Sequence, residues 1–323
     1  MNISVIGCGR WGSLIAWYLD KIGHAVTLIG RPESRHMQRF LAERRNDLLE
    51  MPESVRLSTD FADTKSADVI IISVPSQQLR GLLNSLKVYE LKDKIFVLCM
   101  KGLEIETGAR LSEVAAETVD PSCRVAVWIG PGHVQEFYAG IPNCMVIDSA
   151  DPATKRKLVS AFSGPLIRFY YGDDLIGNEI GAAAKNVIGI AAGMLDGLHL
   201  TTLKGALMSR GTREVARLIE KMGGSPFSAY GLCHLGDYEA TVFSPYSHNR
   251  SYGEALVKGE AYGELAEGCY TADALHRLAE MHGVELPICE AVYQVIYRGL
   301  SPKDAINDLF ARSLKEEFWK ETK

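Results

Sequence analysis

Lys185 stands alone in the apolar run Gly177-Asn-Glu-Ile-Gly-Ala-Ala-Ala-Lys-Asn-Val-Ile-Gly-Ile-Ala-Ala-Gly193. Burial disfavours the ammonium form, so a lysine kept in such surroundings points to an amine whose proton is used. At intervals of four, Gly177, Gly181, Lys185, Gly189 and Gly193 line one ridge of a helix. The ridge is bare except for the amine and admits close approach of another chain segment or a flat ligand. Helical glycines cost about 1 kcal/mol each relative to alanine, so this ridge has a packing or binding purpose. The plainer alternative is a tight helix contact with Lys185 reaching out to water.

A second group offers a phosphate cradle. Ile3-Ser-Val-Ile6 reads as a short strand and runs into Gly7-Cys-Gly9-Arg-Trp-Gly12, followed by the helical Ser13-Leu-Ile-Ala-Trp-Tyr-Leu19. Gly7 permits the tight turn, Gly9 lets backbone N–H groups reach a pyrophosphate, and Gly12 allows helix to pack on strand. The strand context is what raises this Gly-x-Gly-x-x-Gly above a chance match. The second strand ends in Gly30-Arg31 in place of the acidic residue that would hold a ribose 2′-hydroxyl. An arginine there takes a 2′-phosphate through charged hydrogen bonds, which favours NADP over NAD; the alternative is a solvated loop residue.

The elements that must position these residues fall into two halves. Up to about residue 172, strands (3–6, 25–29, 68–74, 94–99, 125–129, 144–147, 166–170) alternate with helices that include 77–86, 110–119 and 153–162. Unbroken apolar strands fit a sheet covered on both faces, so the expectation is an α/β fold. In it a Rossmann-type doubly wound sheet (1–173) precedes an all-helical substrate and catalytic domain (174–323). In the second half, 175–197, 202–222, 271–282, 288–298 and 302–312 have helical spacing, whereas 227–252 reads as a long irregular stretch.

Composition narrows the function. At 323 residues, 47% hydrophobic and net charge −5, the chain has ample core, and its charge argues against nucleic acid or an anionic membrane. Seven cysteines without a Cys-x-x-Cys pair fit reduced thiols in the cytoplasm. The first strand begins almost at Met1, which argues against a signal peptide, and Glu179, Lys185, Asn186 and Asp196 argue against insertion of the Gly-rich helix into a membrane. His133, His199 and His234 lack ligand spacing, so no metal is expected.

Further segments fall at strand ends or in the helical half: Ser73-Val-Pro-Ser76, Lys101-Gly-Leu-Glu104, Gly130-Pro-Gly-His-Val-Gln-Glu136, Lys185-Asn186, Gly231-Leu-Cys-His-Leu-Gly-Asp237, Ser247-His-Asn-Arg250 and Glu267-Gly268. In order and wording they resemble the bacterial type of NAD(P)-dependent glycerol-3-phosphate dehydrogenase, from Gly7 to about Gly268. The resemblance implies reversible reduction of dihydroxyacetone phosphate to sn-glycerol 3-phosphate for phospholipid synthesis, in a cytoplasmic protein and a possible homodimer. It implies Lys185 as general acid–base and substrate contacts at Lys101, Gly130, Asp237, Ser247, His248 and Asn249. For the cofactor it implies Gly7, Gly9, Arg10, Trp11, Gly12, Arg31, Lys101, Val134, His248, Leu265 and Glu267.

Four places depart from the family pattern. Arg10 replaces a small residue, and Gly132 replaces a side-chain donor. Leu200-Thr-Thr202 stands for Gly-Asp-Asn, and Ser247-His248-Asn249 lacks the arginine that grips phosphate. If phosphate binds here, Arg250 is the expected substitute cation, and a protonated His248 would add charge near pH 6. Two alternatives therefore stay open: a reductase of similar architecture acting on another small anionic keto or hydroxy compound, and a catalytically silent dinucleotide-binding redox sensor.

Overall fold

The computed structural model describes residues 1–314 together with Glu316 and Glu317; the last part of the expected 174–323 domain lies outside the described residues. Eight strands form one sheet: β1 (Asn2–Ile6), β2 (Ala25–Ile29), β3 (Arg56–Ser58), β4 (Val69–Ile72), β5 (Ile95–Leu98), β6 (Arg124–Ile129), β7 (Asn143–Asp148) and β8 (Ile167–Tyr171). Their order across the sheet is β3-β2-β1-β4-β5-β6-β7-β8. All neighbours are parallel except β6 and β7, which run antiparallel with Trp128 opposite Ile147. Chain order reverses between β1 and β4, so loops leaving those two strands splay apart and open a crevice at their carboxyl ends.

Helices α1 (Arg10–Lys21), α2 (Arg35–Glu43), α3 (Leu79–Leu86), α4 (Leu111–Thr118), α5 (Val134–Tyr138) and α6 (Pro152–Phe162) belong to the sheet half. Residues such as Val69, Ile70, Ile71 and Ile72 are wholly buried, because helices cover both faces. The remaining helices are α7 (Leu175–Gly197), α8 (Lys204–Lys221), α9 (His248–Lys258), α10 (Glu267–His282), α11 (Pro287–Arg298) and α12 (Pro302–Ala311). Asp174 caps α7 by accepting from Gly177 N–H, and the helix then continues unbroken to Gly197. None of the helices among the described residues is long and apolar enough to cross a membrane.

The structure corrects two readings of the sequence. Strand β3 was not expected, since three residues carrying the exposed Arg56 leave no hydrophobic pattern to read. The stretch 227–252 is not irregular throughout: Ser247 caps α9 by accepting from Arg250 N–H, and the helix starts at His248. Pro, Tyr, His and Asn in its approach mask that start.

It is this stretch that covers the glycine ridge of α7. Added side chains at Gly177, Gly181 and Gly189 would meet Ser228, His234 and Thr241 respectively, and one at Gly193 would overlap the Arg250 carbonyl. The ridge thus seats a chain segment and not a flat ligand, and Lys185 faces that segment in place of solvent. Gly253 on α9 answers Gly193 in kind, because a Cβ there would overlap the Ile190 carbonyl. Gly193→Ala is expected to cost about 1–3 kcal/mol in urea unfolding by overpacking against immobile backbone. The control Gly81→Ala, facing open space on α3, should gain up to about 1 kcal/mol from helix propensity.

Candidate active site

Loops at the carboxyl ends of β1, β4, β5 and β6 meet the segment that covers α7. Lys101, just past β5, donates to the Gly130 carbonyl at 2.6 Å and to Asp237 Oδ2 at 2.7 Å. Gly130 follows β6 with φ +131°, a conformation that side chains rarely allow. Lys185 projects from the middle of α7 and is 6% exposed. Its Nζ lies 2.7 Å from the same Asp237 Oδ2 and donates to Thr241 Oγ1 at 2.7 Å. Thr241 in turn donates to the Asp237 carbonyl at 2.8 Å, within a segment that ends in a π turn over Glu239–Phe243.

One carboxylate oxygen therefore sits between two ammonium groups. Burial is the main influence on Lys185 and pulls its pKa down to about 8; Asp237 opposes this and Lys101 adds to it. An amine with that pKa is appreciably populated in both protonation states near neutral pH, as proton transfer in either direction requires. Asp237 Oδ1 is buried and has no hydrogen-bond partner among the described residues. A buried carboxylate oxygen of this kind is costly unless a donor reaches it.

A line of amides fixes Lys101 and Lys185 relative to one another. Asn186, next to Lys185, donates to the Lys101 carbonyl at 2.9 Å, and Asn249 donates to Asn186 Oδ1 at 3.1 Å. Asn249 Oδ1 accepts from Gly268 N–H, so α7, α9 and α10 converge on the strand-end loop. Glu267, the first residue of α10, accepts from the Ser76 N–H at 3.1 Å and from its hydroxyl. Burial raises the Glu267 pKa, with the Ser76 bonds working against it.

The glycine loop has the geometry of a pyrophosphate cradle. A Cβ on Gly7, whose φ is +111°, would overlap the Ser73 carbonyl, and one on Gly12 would overlap the Gly7 carbonyl. Gly9 faces open space, so its lack of a side chain serves something beyond the protein's own packing. The first bond within α1 runs from Ser13 N–H to the Gly9 carbonyl, which leaves the N–H groups of Arg10, Trp11 and Gly12 at the positive end of the helix. These residues fit a dinucleotide. Trp11 packs on Phe137, Val134 is buried at the start of α5, and Leu265 is exposed just before α10. Arg31 lies exposed past β2, 3.6 Å from Glu33.

The departures have structural meanings. Gly132 has φ +145° and a Cβ there would overlap the Phe137 ring, so this loop shape leaves no room for the expected side-chain donor. Ser247 caps α9. The role expected of Arg250 is corrected: it is held by Asp196 Oδ2 at 2.9 Å, by Glu254 and by the Ser244 carbonyl, and is not a spare cation. Nor does its setting favour a charged His248: burial and Arg10 lower its pKa, with Glu264 opposing. Thr241 escaped the sequence reading; its spacing of four from Asp237, one helical turn, was the available signal.

Comparison with known proteins follows this geometry. Residues 2–155 match the family described as NAD-dependent glycerol-3-phosphate dehydrogenase N-terminus, and residues 174–307 match the corresponding C-terminus. The chain is 36% identical to a glycerol-3-phosphate dehydrogenase, NAD(P)+, of Pelodictyon phaeoclathratiforme, covering 98% of this chain and 99% of that one. A protein of the same name from Moorella thermoacetica is 37% identical, covering 98% and 97%. The crystal structure of glycerol-3-phosphate dehydrogenase from Coxiella burnetii superposes with a TM-score of 0.89 at 30% identity, covering 96% of this chain and 99% of that one.

Proposed function

The chain belongs to the NAD-dependent glycerol-3-phosphate dehydrogenase family, and from that premise we propose that Lys185 moves the proton as dihydroxyacetone phosphate is reduced to sn-glycerol 3-phosphate. The protein is an oxidoreductase that uses NADP or NAD. The observation that carries the proton assignment is the shared carboxylate oxygen: Lys101 and Lys185 each lie 2.7 Å from Asp237 Oδ2, while Oδ1 is buried without a hydrogen-bond partner among the described residues.

When bound, the nicotinamide supplies the hydride. The protein's part is to hold the carbonyl and deliver a proton to its oxygen. Lys185 in its ammonium form donates to that oxygen in reduction and, as the neutral amine, accepts from the hydroxyl in oxidation. Lys101 adds positive charge where negative charge develops on oxygen. Asp237 keeps both amines oriented, and its Oδ1 takes a substrate hydroxyl. A redox sensor needs the cradle but not two amines and a buried carboxylate, so the arrangement favours turnover.

We assign 1–173 to the cofactor and 174–323 to the substrate, in a cytoplasmic homodimer whose product serves glycerophospholipid synthesis. Free thiols at all seven cysteines support the compartment, and the dimer and pathway rest on the family resemblance. The direct assay is NADPH oxidation with dihydroxyacetone phosphate against unphosphorylated ketones and 2-keto acids. Turnover selective for the phosphate ester supports the reading; turnover only with a 2-keto acid would replace it, and cofactor binding without turnover would leave a sensor.

NADPH is the preferred form, on the strength of Arg31 following Gly30 at the end of β2. Arg31→Asp should raise KM for NADPH by about tenfold or more while changing KM for NADH little, since it replaces a phosphate partner with a repelling charge. An unchanged ratio of the two KM values would place Arg31 away from the ribose.

A further inference from the structure

Two of the departures from the family pattern, Arg10 and His248, touch each other although 238 positions separate them. Arg10 Nη1 lies 2.7 Å from His248 Nε2. A guanidinium has donors only, so Nε2 is the acceptor and carries no proton. The imidazole hydrogen is then on Nδ1 and is donated to the Tyr262 hydroxyl at 2.7 Å. His248 is neutral here and supplies no charge; it fixes the direction of the guanidinium.

Both residues open helices, Arg10 on α1 and His248 on α9, so two positive helix ends converge where they meet. The next residue along, Asn249, starts the amide line through Asn186 to the Lys101 carbonyl. That line joins the Arg10–His248 contact to the two ammonium groups. The arginine in the first turn of α9, Arg250, is committed to Asp196.

We propose that Arg10, reaching across from the sheet half, supplies the fixed positive charge that binds the substrate's phosphate, with His248 aiming it. The cation has moved from α9 to the glycine loop, so the small residue expected at position 10 and the arginine expected at 248 are lost together. The N–H groups of Arg10 not used by His248 present the planar fork that suits phosphate oxygens. This inference rests on the dehydrogenase reading above.

The test compares wild type, Arg10→Ser and the double variant Arg10→Ser/His248→Arg. KM and kcat are measured with dihydroxyacetone phosphate and with unphosphorylated dihydroxyacetone, Kd for NADPH by fluorescence, and Tm for folding. Arg10→Ser should raise KM for the phosphate ester by about tenfold or more, the scale of a lost charge-assisted contact. Its kcat and its kinetics with dihydroxyacetone should change less than about threefold, because the lost contact is to the ester's phosphate, and Kd for NADPH should hold because residue 10 meets the cradle through its backbone N–H, which serine keeps. Returning the cation to α9 in the double variant should recover most of the KM. The inference is overturned if KM for the ester stays within about twofold of wild type, if both substrates suffer equally, or if a double variant with wild-type Tm shows no recovery. If wild type turns over no dihydroxyacetone phosphate, the dehydrogenase reading fails and takes this inference with it.

Discussion

Replacing Lys185 by methionine is expected to lower kcat by about 10²- to 10⁴-fold, the range for a positioned acid–base, while Kd for NADPH stays within about threefold of wild type. Methionine fills much of the space of the lysine stem and cannot carry a proton. The site is already 6% exposed and packed by Thr241 and Asp237, so the fold should survive. The variant also removes a buried cation from a carboxylate that Lys101 still holds, which limits the structural cost. Near-wild-type turnover with an unchanged Tm would remove Lys185 from the chemistry.

Asp237→Asn should be nearly as damaging, for a different reason. The carboxylate is the influence that raises the Lys185 pKa, while burial and Lys101 lower it. Without it, two amines face each other unscreened and Lys185 deprotonates more readily. The pKa then falls below about 8, and the reductive reaction loses its proton donor at neutral pH. We expect kcat for reduction to drop by about 10²-fold or more at pH 7 and to recover partly toward lower pH.

Stability follows the same pKa. In the variant the folded Lys185 titrates further below its ordinary value of 10.5, so the unfolded chain binds more protons between the two pKa values. Stability should therefore rise with pH through that window. Unpairing the buried charges costs roughly 3–5 kcal/mol where both amines are protonated. Wild-type kcat and an unshifted pH profile in Asp237→Asn would show that the carboxylate does not set the amine.

Much of this was legible in the sequence because single residues were out of place or in tight context. The isolated amine of Lys185 announced itself in an apolar helix, and the bounds of α7 came out as the pattern gave them, 175–197. The glycine loop was legible because a strand precedes it and a helix follows. What was hidden depends on distance or on weak local signals. Strand β3 is held by pairing with β2, from Thr27 opposite Arg56 to Ile29 opposite Ser58, and not by its own composition. The start of α9 lies among turn-forming residues, where only the Ser247 cap betrays it. Sequence spacing could not show that residues 10 and 248 meet, which is made by packing of the two halves, nor that Arg250 is engaged by Asp196 of α7, a contact made by packing of α7 on α9.

The central claim is that the Lys185 amine, held between Asp237 and Lys101, carries the proton. Its most direct test is the pH dependence of kcat/KM in both directions for wild type and Lys185→Met. The account predicts that the reductive rate falls as pH rises through about 8, where the ammonium is lost, and that the oxidative rate rises through the same pKa. In Lys185→Met the residual activity should show neither limb. Wild-type profiles flat around pH 8, or limbs that persist unchanged in the methionine variant, would contradict it.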